Sequence, residues 1–288
     1  MTKIVVIGAG LAAARLAERL RQRETSRELT ITVVGAERHL PYNRVLLSAA
    51  LTDPRRLGEL VFRSNRWYRD AAIDVVRATR AVRIDRRAHA VVGSDGRSYP
   101  YDKLVLATGA NPVLPPIHDI VTPQGKLRSA VTMFRSYDDC RRLLAHATHA
   151  RRAIVAGGGL LGLEAARGLV SRGLEVDVVH SGPHLLHDQL DPEGGDVLRR
   201  HVEALGIAVH TGLHVSAVHP QSGQLRAVKL SDGYLLDCDV VVIACGSRRA
   251  VRLAVAAGLG TAGGLVVDDQ LRTDDEAIHA IGDCAQHR

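Results

Sequence analysis

The 288-residue sequence predicts an α/β fold of two three-layer halves, each a parallel sheet between helices, and three observations carry that expectation. A glycine-rich turn occurs twice, as Gly8-Ala9-Gly10-Leu11-Ala12-Ala13 and as Gly157-Gly158-Gly159-Leu160-Leu161-Gly162. Each follows a short Val/Ile-rich run, Lys3 to Ile7 or Arg152 to Ala156, of the continuous apolar kind that fills a sheet covered on both faces. Each precedes a helical pattern, Leu11 to Arg23 or Leu161 to Arg172, with Leu and Ala on one face and charges on the other. The length agrees, since it exceeds the usual single domain.

The residue types in the turns have one physical explanation. The first glycine lets the chain turn sharply, the second leaves room for backbone beside a pyrophosphate, and the third position, Ala13 or Gly162, lets helix pack close to strand. The bare helix start then offers unpaired N–H groups and about half a positive charge to phosphate. One such turn is weak evidence, because glycines also join strands to helices without a ligand. Two in the same context predict two Rossmann-like dinucleotide sites.

Composition sets the remaining bounds. Apolar residues make up 46%, enough for a core, yet no run approaches the roughly 20 residues of a membrane span, and a strand begins at once with no signal-peptide pattern. A cytoplasmic protein without membrane contact is expected. The four cysteines, Cys140, Cys238, Cys245 and Cys284, include no C-x-x-C pair, which argues against a disulfide scaffold or a cysteine-rich metal or cluster site. They read as reduced, mostly buried thiols. The net charge of +7 comes from arginines spread along the chain, a solvated basic surface or a dock for an acidic redox partner. With 3% aromatics and no basic stretch interleaved with them, nucleic acid is not an expected partner.

In chain order, the strand Leu29 to Val34 ends near Glu37, close to where an acidic side chain meets an adenosine ribose hydroxyl. The turn chemistry of Leu40-Pro41-Tyr42-Asn43-Arg44 predicts a loop presenting Arg44, either as a phosphate clamp or as an ordinary surface arginine. Ala81 to Asp85 and His89 to Val92, followed by Ser94-Asp95-Gly96, predict an antiparallel excursion. A buried strand from Lys103 to Ala107 runs into Ala107-Thr108-Gly109, where glycine suggests close approach to a ligand, and the proline-rich 112–116 stretch leads out of the first domain. A helix from Tyr137 to Thr148 precedes the second turn. After it come the strand Glu175 to His180, the helix Glu193 to Leu205, and short strands around Ala208, Val215 and Leu225. Asp239 to Ala244 is another buried strand and leads into Gly246-Ser247-Arg248. Gly264 to Val267 and Ala277 to Ile281 complete the series, closing on Gly282-Asp283.

These landmarks in this order resemble the two-dinucleotide flavoproteins of the pyridine nucleotide-disulfide oxidoreductase family and their non-disulfide relatives, over essentially the whole chain. Gly8, Gly10, Glu37, Ala107-Thr108-Gly109 and Gly282-Asp283 match the FAD-binding motifs; Gly157, Gly159, Gly162 and Glu164 match the NAD(P)H-binding turn. The resemblance implies an FAD-binding domain of residues 1–113 and 246–288, with an NAD(P)H-binding domain of residues 114–245 inserted in it. Leu11, Ala12, Leu160, Leu161, His180 and Gly246 join the cofactor-binding set. No cysteine lies between Leu40 and Gly109, so electrons must leave the flavin without a redox disulfide. Within the non-disulfide branch, Pro41 to Ser48, Trp67-Tyr68-Arg69-Asp70, Gly159 to Ala166, Val178-Val179-His180, Gln189-Leu190-Asp191-Pro192 and the run 282–288 look most like the reductase portion of assimilatory NAD(P)H nitrite reductases.

By resemblance, hydride passes from NAD(P)H on the second unit to FAD on the first, and electrons go on to an iron-sulfur or siroheme acceptor in a further region or a separate protein. Asp283 would accept a hydrogen bond from the ribityl chain, and could also cap a helix. Glu164 is the candidate catalytic residue. Relatives pair it with a lysine where this chain has Ala49; an unpaired glutamate against an apolar flavin face is the weaker acid, or leans on another base such as Arg44. Otherwise it is a helix-start carboxylate. His180 stands where NAD-specific relatives carry Glu, with no following arginine for a 2′-phosphate, so NADH and NADPH stay open with a lean to NADH. His180, His184 and His187 are spaced like metal ligands, but Gly182-Pro183 breaks the segment and no metal site is expected. Arg249-Ala250 replaces the Pro-Asn common in relatives, and the chain stops at Arg288, before an acceptor module. A homodimer is allowed. The alternatives are a stand-alone rubredoxin or ferredoxin reductase, an NADH oxidase, or a nucleotide-binding remnant that holds flavin too weakly to turn over.

Overall fold

A computed structural model describes residues 1–24, 26, 28–221 and 223–287. Arg288, the last residue of the 282–288 run, lies outside the described residues. The chain divides into two compact units: Met1–Arg44, Glu59–Asn111 and Arg248–Arg288 form the first, Val45–Gly58 and Pro112–Ser247 the second.

The first unit is a five-stranded parallel sheet in the order Ile278–Ala280, Lys103–Leu106, Thr2–Ile7, Leu29–Val34, Ile73–Val76. Val5, Val6, Leu104, Leu106, Ile31 and Val33 are buried, as continuous apolar strands covered on both faces must be. The helix Leu11–Arg23 packs one side through Ala13, Ala14 and Ala17 and ends on Arg21 and Arg23, favourable for the helix dipole. Its buried Glu18 is held ionised chiefly by the Arg63 guanidinium, at 2.6 Å, with Arg15 at 2.7 Å. The excursion is a three-stranded antiparallel sheet of Ala81–Asp85, Ala90–Gly93 and Ser98–Pro100.

The second unit repeats the plan. Its parallel sheet runs Ile207–Thr211, Glu175–His180, Arg152–Ala156, Val240–Ile243, Val131–Met133, and its antiparallel sheet joins Val215–Gln221, Gln224–Leu230 and Leu235–Asp237. Tyr137–Ala147 starts with a reciprocal capping box between Ser136 and Asp139. Pro192–Ala204 starts with Asp191 accepting from Gly194 N–H at 2.7 Å and proline in the first turn.

The helix Leu47–Thr52 groups with this second unit although its sequence precedes the strand Ile73–Val76 of the first. The physical reason is burial: Leu47, Ala50 and Leu51 are at most 1% exposed, and a Cβ on Gly168 of the helix Leu160–Val170 would lie 2.9 Å from Leu51. The strand order of each unit leaves its glycine turn at the carboxyl edge of a central strand, beside the point where connections change direction. Open α/β sheets bind ligands there.

Candidate functional site

In the first unit the expected residues lie on loops at the carboxyl ends of four neighbouring strands. Gly8 and Gly10 follow Thr2–Ile7, Glu37 follows Leu29–Val34, Ala107-Thr108-Gly109 follows Lys103–Leu106, and Gly282-Asp283 follows Ile278–Ala280. Gly8 has φ +106°, and a Cβ there would meet the Ala107 carbonyl oxygen at 2.1 Å, so the turn presses on the neighbouring strand end. A Cβ on Gly10 would meet nothing within 4 Å. Gly10 is the N-cap of Leu11–Arg23 without a side-chain cap, so the first-turn N–H groups of that helix have no side-chain acceptor from the cap. Open room in front of a bare helix start fits a flavin dinucleotide's pyrophosphate.

Glu37 accepts from the Tyr42 hydroxyl at 2.8 Å and pairs with the Arg44 guanidinium, two candidate cofactor residues brought together. Both side chains stay about one-third exposed, so their charges neutralise each other while remaining reachable. Thr108 donates its hydroxyl to Ala250 C=O at 2.8 Å, and Ala250 N–H donates to Gly109 C=O at 2.9 Å, so the backbone of Ala250 holds the loop after Lys103–Leu106. Gly282–Cys284 is a single 3₁₀ turn capped by Ile281 and followed by the strand Ala285–His287. Asp283 is therefore exposed within that turn. The alternative that it caps a helix is not met, because no α-helix starts there among the described residues.

In the second unit the turn is tighter. Gly157 has φ +123°, and a Cβ on it would lie 2.3 Å from Ala244 C=O; one on Gly162 would lie 2.0 Å from Gly157 C=O. Gly159 opens to space and caps Leu160–Val170 with no side-chain bond. A cleft of about 630 Å³ begins here and takes in Gly157, Gly159, Leu160, Leu161, His180 and Gly246. Its apolar wall is Phe134, Val179, Val215 and Ile243. Mostly apolar concavities of this size with a few placed polar groups are the usual form of small-molecule sites.

Glu164 sits half-buried in the second turn of Leu160–Val170, and among the described residues no ion pair or side-chain hydrogen bond engages it. His180 is 8% exposed; its Nδ1 accepts from Gly158 N–H at 3.2 Å and its Nε2 lies 2.9 Å from His187 Nδ1. Burial, then the neighbouring imidazole of His187, pushes His180 below the ordinary histidine range. Among the described residues, no group of three or more His, Cys, Asp and Glu side chains is arranged to hold a metal ion.

The cleft also contains Arg135, His187, Asp188, His214 and Cys245, which sequence reasoning did not single out as binding residues. Their common signal is position beyond strand ends, which becomes readable only once the strand order is known. Cys245 is also the exception among the thiols: it is exposed, with Sγ 3.2 Å from Ala156 C=O, whereas Cys140, Cys238 and Cys284 are buried. No helix among the described residues is long and apolar enough to cross a membrane.

Known proteins place this geometry in a lineage. The Bacillus subtilis nitrite reductase [NAD(P)H] is 33% identical over 286 residues, covering 99% of this chain and 34% of its own length. The Pseudomonas putida rubredoxin-NAD(+) reductase is 32% identical, with 99% and 72% covered. Among solved structures, the ferredoxin reductase for the CYP199A2 system of Rhodopseudomonas palustris superposes with a TM-score of 0.91 at 34% identity, over 100% of this chain and 69% of that one. The chain thus spans about a third of the nitrite reductase and about seven tenths of the two smaller enzymes. A model of the pyridine nucleotide-disulphide oxidoreductases matches residues 2–288. With two glycine turns of the same build on two parallel sheets, the chain belongs to the pyridine nucleotide-disulphide oxidoreductase family.

Proposed function

We propose that this chain is an FAD-dependent NAD(P)H oxidoreductase module. It takes hydride from NAD(P)H and passes electrons to an iron-sulfur or siroheme acceptor beyond it, as the electron-input part of a nitrite reductase-type enzyme. The observation that carries this reading is the pair of open second glycines, Gly10 and Gly159, each before an uncapped helix. Residues 1–113 and 246–288 would hold FAD through Gly8, Gly10, Glu37, Thr108, Gly109 and Asp283, and residues 114–245 would hold NAD(P)H. The bound flavin would supply the two-electron acceptor ring.

The chain's own contribution is positioning and charge. The uncapped N–H groups at Leu11-Ala12 and Leu160-Leu161 neutralise pyrophosphates, and the Glu37–Arg44 pair offers one acceptor and one donor at the edge of the first site. Glu164, without a lysine partner, adjusts charge where hydride is exchanged; Glu164→Gln is expected to slow flavin reduction in stopped flow, and an unchanged rate would reduce it to a helix-start carboxylate. NADH is the favoured donor, because no arginine follows His180. The Pseudomonas relative, of which the chain covers 72%, favours a second reading as a stand-alone rubredoxin or ferredoxin reductase.

Flavin content decides first. A yellow protein with stoichiometric FAD, bleached by NADH, supports the module; colourless protein that does not take up added FAD points to a nucleotide-binding remnant. Reoxidation that waits for an added iron-sulfur protein separates an electron-transfer module from an oxidase. The expected setting is the cytoplasm.

A further inference from the structure

The chain's single tryptophan and one of its two phenylalanines stand together at the surface of the first unit. Phe62 and Trp67 are partly buried, and guanidiniums cover their ring faces. Arg15 lies 4.8 Å and Arg63 5.1 Å from the centre of the Phe62 ring, and Arg63 also lies 5.6 Å from that of Trp67. The column is held from beneath. Glu18 on Leu11–Arg23, its side chain 3% exposed, accepts from Arg63 Nε at 3.0 Å and Nη2 at 2.6 Å, and from Arg15 Nη1 at 2.7 Å. Phe62 N–H donates to Pro41 C=O at 2.9 Å. A buried carboxylate and two rings thus fix two guanidiniums whose side chains stay 57% and 42% exposed, Arg15 and Arg63 respectively.

The charges around this column are arranged at a cost to the fold. Arg15, Arg19 and Arg23 follow one another at i, i+4 and i+8 on the exposed side of Leu11–Arg23, like charges at a spacing that disfavours a helix. Arg66 and Arg69 add to them from the short helix Asn65–Asp70. Within this group the paired carboxylates are Glu18 and Asp70, the latter 3.5 Å from Arg66. Among the described residues, no carboxylate pairs with Arg19, Arg23 or Arg69. Repulsion left standing along one helix face is relieved by a ligand of opposite charge. Tryptophan and arginine are also the side chains that most often anchor protein interfaces.

The chemistry of the surface selects its ligand. Bases of a single-stranded nucleic acid need open ring faces to stack on, and here guanidiniums already lie over Phe62 and Trp67. What remains outward is the planar N–H fork of arginine, which matches a carboxylate. Arg15, Arg19 and Arg23 are spaced by four residues, about 6 Å per step along the helix, the same step that separates acids four residues apart on a second helix. We propose that this face docks an acidic helix of a partner protein, its carboxylates at i, i+4 and i+8 meeting Arg15, Arg19 and Arg23, with the Arg63–Trp67 stack as the anchor at one end. The inference goes beyond the oxidoreductase reading and does not depend on it.

Trp67 is the only tryptophan, so its emission reports from this surface alone. The probe is an alanine-rich helical peptide with glutamates at i, i+4 and i+8, titrated into the whole chain. Saturable change in Trp67 emission is expected, with affinity falling about fivefold or more between low salt and ~0.5 M, where exposed charges are screened. The double variant Arg19→Gln, Arg23→Gln removes exposed charges that hold nothing in the fold, and should weaken binding by about fivefold or more, each exposed pair contributing up to about fivefold. Arg83→Gln with Arg87→Gln removes the same charge from the antiparallel excursion and should leave the affinity unchanged. No change in Trp67 emission, equal affinity for a peptide with the same glutamates scattered around the helix, or equal loss in both double variants overturns the docking face. Tighter binding of an eight-nucleotide single strand or of phosphatidylserine vesicles than of the peptide overturns the choice of partner.

Discussion

A Cβ at Gly157 would lie 2.3 Å from a backbone carbonyl that cannot move without its strand, and the φ of +123° is strained for any other residue. Gly157→Ala is therefore expected to destabilise the second unit by about 2 kcal/mol or more, read as a lower urea midpoint. Gly10→Ala makes the opposite case. Its φ of −83° suits any residue and a Cβ there meets nothing within 4 Å, so the fold should survive while FAD retention falls. If Gly10→Ala purified with full flavin, the second glycine would not be ligand room. These glycines were legible in the sequence because their need is steric and local. Arg44 was less so: the loop was expected to present it either as a phosphate clamp or as an ordinary surface arginine, and its pairing with the Glu37 carboxylate depends on how the turn at Tyr42 folds back. His187 was readable only as histidine spacing, and Asp188 was not read at all. Their place beside His180 comes from the turn at Gly182, which no periodicity reports.

Elements long enough to show a period were read nearly to the residue. Leu11–Arg23, Leu29–Val34, Arg152–Ala156 and Glu175–His180 agree with expectation, because continuous Val/Ile runs and a Leu/Ala stripe leave few alternatives. The helix Leu47–Thr52 was not read at all: six residues make less than two turns, and its packing partners lie about 100 residues away. Its apolar face is nevertheless buried, through Leu47, Ala50 and Leu51, with Leu51 0% exposed against Gly168. Leu51→Ala should cost about 2–5 kcal/mol. Gly168→Leu should do comparable harm by displacing the same side chain. Chemical denaturation checks both, and a loss below about 1 kcal/mol for Leu51→Ala would show that the helix packs loosely.

For the whole molecule, acid should act in two stages. Burial holds His146, His180 and His279 below the histidine reference of 6.5. The unfolded chain therefore binds those protons first, so the stability tied to their neutral forms is present above pH 6.5 and is lost as pH falls through their folded values. The carboxylates of Glu18, Asp239 and Asp275 are held low and act later, below about pH 4.5, where the unfolded chain begins to protonate them. Thermal unfolding should show a plateau near pH 7.5 and a fall already at pH 5.5. A midpoint equal at both would mean that these imidazoles are solvated.

The order of strands in the first sheet also sets a timetable for synthesis. Lys103–Leu106 lies between Thr2–Ile7 and Ile278–Ala280, and about 170 residues separate Leu106 from Ile278. At 5–20 residues per second a ribosome takes roughly 10–30 s to cross that interval, far longer than a domain needs to collapse. Throughout that wait the nascent sheet presents Lys103–Leu106 as an open edge with Leu104 and Leu106 uncovered, while Pro112–Ser247 emerges and can close on itself. The half written first is thus finished last, and the hazard of mispairing during synthesis falls on the sheet that carries the first glycine turn.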